Sequence, residues 1–253
     1  MNTKIKLNRW LSACVLILLL LLGWEACALW VNQPYLFPSP SQIFIKMIDL
    51  HDVLFFVHLP ATLSVMLIGL FCSMILGVAL ALCMNKFKTL EQAIYPVLVV
   101  SQTIPIIALA PVFVLWFGYS IWSKVLVTVL ITFFPITVNT FDGLKSTSKE
   151  QLEWFKTAGA SRRAILTKLY IPSALPSFFS GMKVAITLSV IGAAIGEWLG
   201  ANAGLGYFSR RMMTQFDGAG VFAPIVWLSI LGLIGFLLIT LLEYYLLKWR
   251  HIK

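Results

Sequence analysis

The residues whose types and spacing could do work lie between Asp142 and Pro172: Glu153, Phe155, Ala158, Gly159, Arg162, Arg163 and Pro172. Before Gly159, Leu152 and Phe155 share a helical face; after it, Ile165, Leu166 and Leu169 recur at helical spacing. The pattern predicts two short amphipathic helices broken at Gly159, with Ser161 capping the second and Pro172 ending it. Such an element makes no bonds. It either lies on anionic lipid, drawn by Arg162, Arg163 and Lys168, or docks in a groove of a partner protein with Phe155 and its neighbours as apolar anchors.

Bond-making chemistry has little to build on. His51, His58 and His251 are scattered, and neither HExxH nor GxSxG occurs. Cys14, Cys27, Cys72 and Cys83 fall in apolar runs without CxxC spacing, as small hydrophobes do. The phosphate-cradling pattern G-x-x-x-x-G-K-[ST] is also missing. The expectation is a chain with no catalytic residue, no metal and no cofactor of its own.

The elements that must position the 142–172 segment follow from composition. Of 253 residues, 60% are apolar and 11% charged, with mean hydropathy +0.91, against about half apolar and a quarter charged in soluble domains. The chain is an integral membrane protein. Its apolar residues form long runs rather than the alternation of a barrel, which predicts an all-α polytopic bundle. Six transmembrane helices are expected, over Trp10–Val31, Leu59–Met84, Tyr95–Phe117, Ile121–Phe141, Ala174–Trp198 and Ala223–Leu247. No repeat divides them, so residues 1–253 are expected to form one domain.

The net charge of +9 belongs to loops and not to nucleic-acid binding. Lys4, Lys6 and Arg9 precede the first span, and Lys86 and Lys88 follow the second. Lys145, Lys149, Lys156, Arg162, Arg163 and Lys168 follow the fourth, and Lys248, Arg250 and Lys253 end the chain. The alternate loops carry only Lys46, Lys124, Arg210 and Arg211. Both termini are therefore predicted to be cytoplasmic. A signal peptide ending at Ala26-Cys27-Ala28 is the alternative for the first helix, but its apolar run reaches Val31 and is long enough to span.

Outside the membrane, Ser39 or Ser41 is placed to cap a short surface helix over Gln42–Leu50. Within it, Lys183 and Glu243 near the inner ends, and Glu25 near the outer, are expected to snorkel. Glu197 precedes the glycine-rich segment 200–206, where it suits a structural hydrogen bond or a gate. Pro96, Pro105 and Pro111 are expected to kink the third helix and Pro135 the fourth, shaping packing more than solute contact. Ser101, Gln102 and Thr103 are the polar candidates for the pathway.

Glu153, Gly159 six positions on, and Leu169-Tyr170-Ile171-Pro172 together resemble the EAA loop of permease subunits of bacterial ATP-binding-cassette importers. Trp154 and Phe155 stand where that pattern has two alanines. Pro38-Ser39-Pro40-Ser41, Gln102 to Pro111 followed by Trp116-Phe117-Gly118, Phe134-Pro135 with Asn139 and Gly143, and Glu197 with Gly204-Leu205-Gly206 resemble the taurine, sulfonate, nitrate and thiamine-precursor branch. The resemblance implies a type I importer in a bacterial inner membrane. Two copies of the chain would form the pathway, a pair of cytoplasmic ATPase subunits would use ATP and Mg, and an extracytoplasmic binding protein would deliver the solute. Glu153, Phe155, Ala158, Gly159, Arg162, Arg163 and Pro172 would then couple permease to ATPase. Sulfonates, taurine, nitrate and a hydroxymethylpyrimidine all stay open as substrates. A stand-alone secondary transporter is the alternative; it would call for an inverted repeat and a midplane ion site, and neither is evident.

Overall fold

The computed structural model describes residues 3–250; His251 and Lys253, used in the readings above, lie outside them. The helices are α1 (Thr3–Val31), α2 (Pro40–Asp49), α3 (His51–Lys86), α4 (Lys88–Ser101), α5 (Ile106–Phe117), α6 (Ile121–Lys145), α7 (Lys149–Thr157), α8 (Arg162–Gly200), α9 (Leu205–Thr214) and α10 (Gly218–Leu246). No strand occurs among the described residues, in keeping with an all-α membrane bundle.

Among the described residues, five helices are long and apolar enough to cross a membrane: α1 over Leu11–Val31, α3, α6, α8 and α10. The sixth span differs from the continuous Tyr95–Phe117 helix expected. It is two helices, α4 and α5, meeting at 99° across the break 102–105. Pro96 and Pro111 sit inside α4 and α5, so the break belongs to Pro105, which opens α5 with extended ψ. Ser101 and Thr103 turn their hydroxyls back on the carbonyls of Leu98 (2.7 Å) and Val100 (2.8 Å), satisfying backbone acceptors at the bend.

The centre of the bundle is α6, held between α3 and α8. Small residues set the distance: a Cβ at Gly192 of α8 would fall 2.7 Å from the Thr128 Cα of α6. One turn further along α6, Ser73 of α3 and Thr132 share a buried 2.6 Å hydrogen bond. Around this axis Leu54, Val65, Val125, Val190, Ala193, Leu205 and Phe208 form one apolar cluster, and Ala81, Met84, Leu98, Phe141, Leu144 and Ala174 another.

Pro172 does not end its helix, contrary to the sequence expectation. The chain is helical from Arg162 to Gly200, and Leu166–Tyr170 is a π turn in which the Ile171 N–H reaches Leu166 O. The wider turn makes room for a proline ring that would otherwise strike the carbonyl four residues back. The same device occurs where α3 begins. Leu54–His58 is a π turn, the Leu59 N–H reaches Leu54 O, and Pro60 follows.

The charged residues within spans find partners rather than snorkelling separately. Lys183 of α8 and Glu243 of α10 form an ion pair with each other, which satisfies both charges inside the bundle. The Glu25 carboxylate accepts from the Ser41 N–H (3.0 Å) and Oγ (2.7 Å), fastening the outer end of α1 to the first turn of α2. Of the two serines placed to cap α2, Ser39 does so, in a reciprocal box with Gln42. Lys46 of α2 meets Asp217 at 2.7 Å, the residue that caps α10.

Candidate functional site: an exposed elbow and a buried clamp

Between α6 and α8 the chain makes an elbow. Ser148 caps α7 by accepting from the Gln151 N–H (3.2 Å). Its other end closes in a Schellman turn: the Ala160 N–H donates to Phe155 O and the Gly159 N–H to Lys156 O, both at 3.0 Å. Gly159 takes φ +74°, a conformation that a side chain resists, which is why the pattern breaks there. Ser161 then caps α8 by accepting from the Ala164 N–H at 3.2 Å. Two caps and one glycine shape the elbow; Ser161 and Gly159 are the two that the sequence predicts.

Glu153, Ala158, Gly159, Arg162 and Arg163 are exposed, and among the described residues no side chain pairs with Glu153, Arg162 or Arg163. Nothing lies within 4 Å of where a Gly159 Cβ would stand. The face around the turn is open. Phe155, expected as the outward anchor, is half-buried with Leu152 because their shared helical face turns toward α8. It borders a 460 Å³ hollow with Glu150, Gln151, Trp154 and Leu169. The outward ring is Trp154, 69% exposed, which meets Phe155 edge-on at 5.6 Å. Pro172 lies half-buried above the π turn, apart from the exposed residues. Beside the elbow's root, Lys145 of α6 pairs with Glu91 of α4 at 2.7 Å.

At the far end of α8, Glu197 is 1% exposed. Its Oε2 accepts from the Gly206 N–H (2.8 Å), which answers the expectation of a structural hydrogen bond. Two further bonds stand beside it: the Leu205 N–H donates to Thr62 Oγ1 (2.8 Å), and the Gly204 N–H to His58 Nδ1 (3.1 Å). The His58 ring also stacks at a tilt on Phe208, 4.8 Å between centroids. Nothing in the sequence ties His58 and Thr62 to the segment 204–206; their i, i+4 spacing on an otherwise apolar helix is the one signal of a shared polar face. Ser101, Gln102 and Thr103 gather at the break between α4 and α5, and no hydrogen bond joins them to either site. Gln102 makes a long 3.5 Å contact to Ser101 Oγ.

Neither site holds a nucleophile beside a base. What they offer is a surface for a partner and a fastening between helices. Residues 73–246 match the family described as the binding-protein-dependent transport system inner membrane component. The chain belongs to that family. This permease is 61% identical over 240 residues to the formylaminopyrimidine transport permease protein ThiX of Halalkalibacterium halodurans, covering 95% of this chain and 96% of that one. It is 35% identical over 238 residues to the riboflavin transport system permease protein RibX of Chloroflexus aurantiacus, covering 93% and 89%. With the taurine transport system permease protein TauC of Escherichia coli it shares 26% over 236 residues, covering 90% and 84%. The resemblance read from the motifs therefore stands, and the permease is a transport subunit of an importer rather than an enzyme. The family is one of inner-membrane components that work with a binding protein and an ATPase.

Proposed function

We propose that this permease is one of two identical halves of a pathway through a bacterial inner membrane, and that its solute is a formylaminopyrimidine-type thiamine precursor. The degree of likeness to ThiX supports the solute; the relatives for taurine and riboflavin are more distant. Residues 1–253 act as one transport domain with both termini in the cytoplasm. The basic residues support that orientation, since Lys86, Lys88, Lys145, Lys149, Lys156, Arg162, Arg163 and Lys168 cluster on the elbow's side.

The observation that carries the reading is the elbow: an exposed, rigidly capped turn with unpaired charges and empty space over Gly159. A surface of this kind fits the groove of a cytoplasmic ATPase. Glu153, Ala158, Gly159, Arg162 and Arg163 make the contact, while Phe155 and Pro172 set the pose of the elbow from behind. ATP and Mg belong to the partner, and the permease itself binds no cofactor. Nucleotide binding draws two elbows together and opens the pathway outward; hydrolysis releases them, so the permease is a two-state element biased from both sides. Of the polar residues at the α4–α5 break, Gln102 is assigned to the pathway, and Ser101 and Thr103 to holding the bend.

The test is purification of the tagged permease in mild detergent, with mass spectrometry of what accompanies it, followed by uptake in proteoliposomes. Recovery of an ATPase that is lost in Gly159→Asp supports the docking reading, and ATP-driven uptake of labelled formylaminopyrimidine supports the solute. Uptake by the permease without any ATPase would make it a secondary transporter.

A further inference from the structure

The backbone N–H of the residue that caps α9 and the first two N–H groups of α9 itself are each received by a side chain from another helix. A helix start leaves such donors without intrahelical partners, and the usual remedy is water or a capping side chain next in sequence. Here the N-cap is Gly204, which has no side chain to offer, and its φ of +122° aims the segment inward. His58 and Thr62 of α3 and Glu197 of α8 supply the acceptors instead. The join is dry: Thr62 and Leu205 are 0% exposed, Ala201 4% and Glu197 1%. A Cβ on Gly204 would run into the Glu197 carboxylate, and one on Gly206 would fall 2.7 Å from Ala194 O.

The fit is close but incomplete. Glu197 Oε1 is buried without a well-formed hydrogen bond, the carboxylate having only looser approaches from the Thr62 hydroxyl and the Tyr207 N–H besides the Gly206 bond, and this imperfect pairing raises the energy of the closed state. In water every one of these donors and acceptors would be satisfied, so opening the join exchanges fixed partners for solvent at small net cost. That is the requirement for a part that must both hold and let go. It is also connected to the elbow by one element, because α8 is helical from Arg162, just after the Gly159 turn, to Gly200, just after Glu197.

We infer that His58, Thr62 and Glu197 form the outer latch of the permease, which grips the start of α9 in the resting state and releases it when the elbow displaces α8. The inference rests on the importer reading of the elbow. His58 and Thr62 are positioning residues: they touch no solute and act through α9. Release uncovers the segment 201–206 and frees α9 from α3, opening the outer side of the pathway.

Two measurements on the complete transporter in proteoliposomes test it. ATP-driven uptake is scored first; its absence removes the importer reading, and only a complex that imports is carried forward. Ala201→Cys is then placed in a background lacking the four native cysteines and exposed to a membrane-impermeant maleimide. Labelling is expected to be at least about tenfold faster in the vanadate-trapped complex with loaded binding protein than without nucleotide. Equal rates in both states, in a complex that imports, overturn the latch and leave the importer reading intact. Second, Thr62→Val is expected to raise ATP hydrolysis in the absence of binding protein by roughly fivefold, the population shift that loss of one buried hydrogen bond produces. Thr62→Ser, which keeps the acceptor, is expected to restore coupling. A purely structural role for Thr62 would lower assembly, uptake and hydrolysis together with no gain in unstimulated hydrolysis, and that result also overturns the latch.

Discussion

Gly159 and Gly204 both take positive φ, at +74° and +122°, yet their surroundings are opposite. Around Gly159 there is empty space, whereas Gly204 is pressed against the Glu197 carboxylate. The elbow is complete in its backbone and vacant on its surface; the clamp has its backbone donors filled by side chains from α3 and α8. One region is built for something outside the chain and the other for the chain itself. A substitution at the first should therefore spare folding and harm transport, while one at the second should harm both.

The largest effect that would separate them is Gly159→Asp. Aspartate tolerates the left-handed conformation better than most residues and meets no neighbour there, so membrane insertion is expected to survive while ATP-driven uptake is abolished. Wild-type uptake by this variant would break the comparison at its exposed end. Next comes Lys183→Ala, which leaves the half-buried Glu243 of α10 without its partner and is expected to cost up to about 3 kcal/mol in detergent unfolding. Lys183→Met with Glu243→Leu should recover most of that loss, and full stability of the single variant would show that the pair contributes nothing.

Gly204→Ala combines an unfavourable φ with a collision, and a loss of about 2 kcal/mol is expected in the same assay. Gly159→Ala should lose only about 1 kcal/mol, since it meets strain without collision. If the two alanine variants lose the same stability, the contrast between open and filled surroundings is wrong.

The smallest effect concerns the outer surface, where Asp217 joins α2 to α10. Burial alone would raise its pKa, but the hydrogen bond from Lys46, the Gly220 N–H and the Lys46 charge outweigh that and hold it below the ordinary carboxylate value. A lowered pKa means that the stabilisation is complete above the ordinary value and is lost as pH falls through the depressed one. Hydrogen exchange in α2, corrected for the intrinsic pH dependence of amide exchange, should be flat from neutral pH down to the usual carboxylate range and rise only in more acid solution, by an amount worth at most about 1 kcal/mol for a pair this near the surface. An increase already at pH 6 would assign the join to another group.

Much of this was legible in the sequence where the cause is local. Ser39 and Ser161 cap helices by reaching three residues ahead, and Gly159 breaks one by its own φ, so pattern and spacing suffice. Apolar run length placed the spans for the same reason. Three prolines in the third span looked equivalent, and only the surrounding bundle decides that Pro105 breaks it while Pro96 and Pro111 are absorbed. Pro172 read as a stop because helix signals assume α geometry, and the π turn before it removes the clash on which that reading depends. The pairs Lys183–Glu243 and His58–Gly204 join residues far apart in the chain, with no period to announce them.

The length of α8 bears on lipid composition. At 1.5 Å per residue its 39 residues come to about 58 Å, while a bilayer with its headgroups is about 40–45 Å thick. Tilted by about 20°, with Gly200 at the outer headgroup surface, it would carry the elbow roughly 10 Å past the inner headgroups, and membranes differ in thickness by only a few ångströms. A cell that remodels its lipids with temperature or growth phase can thus thin or thicken the bilayer around α8 without drowning the elbow in headgroups or lifting it beyond reach.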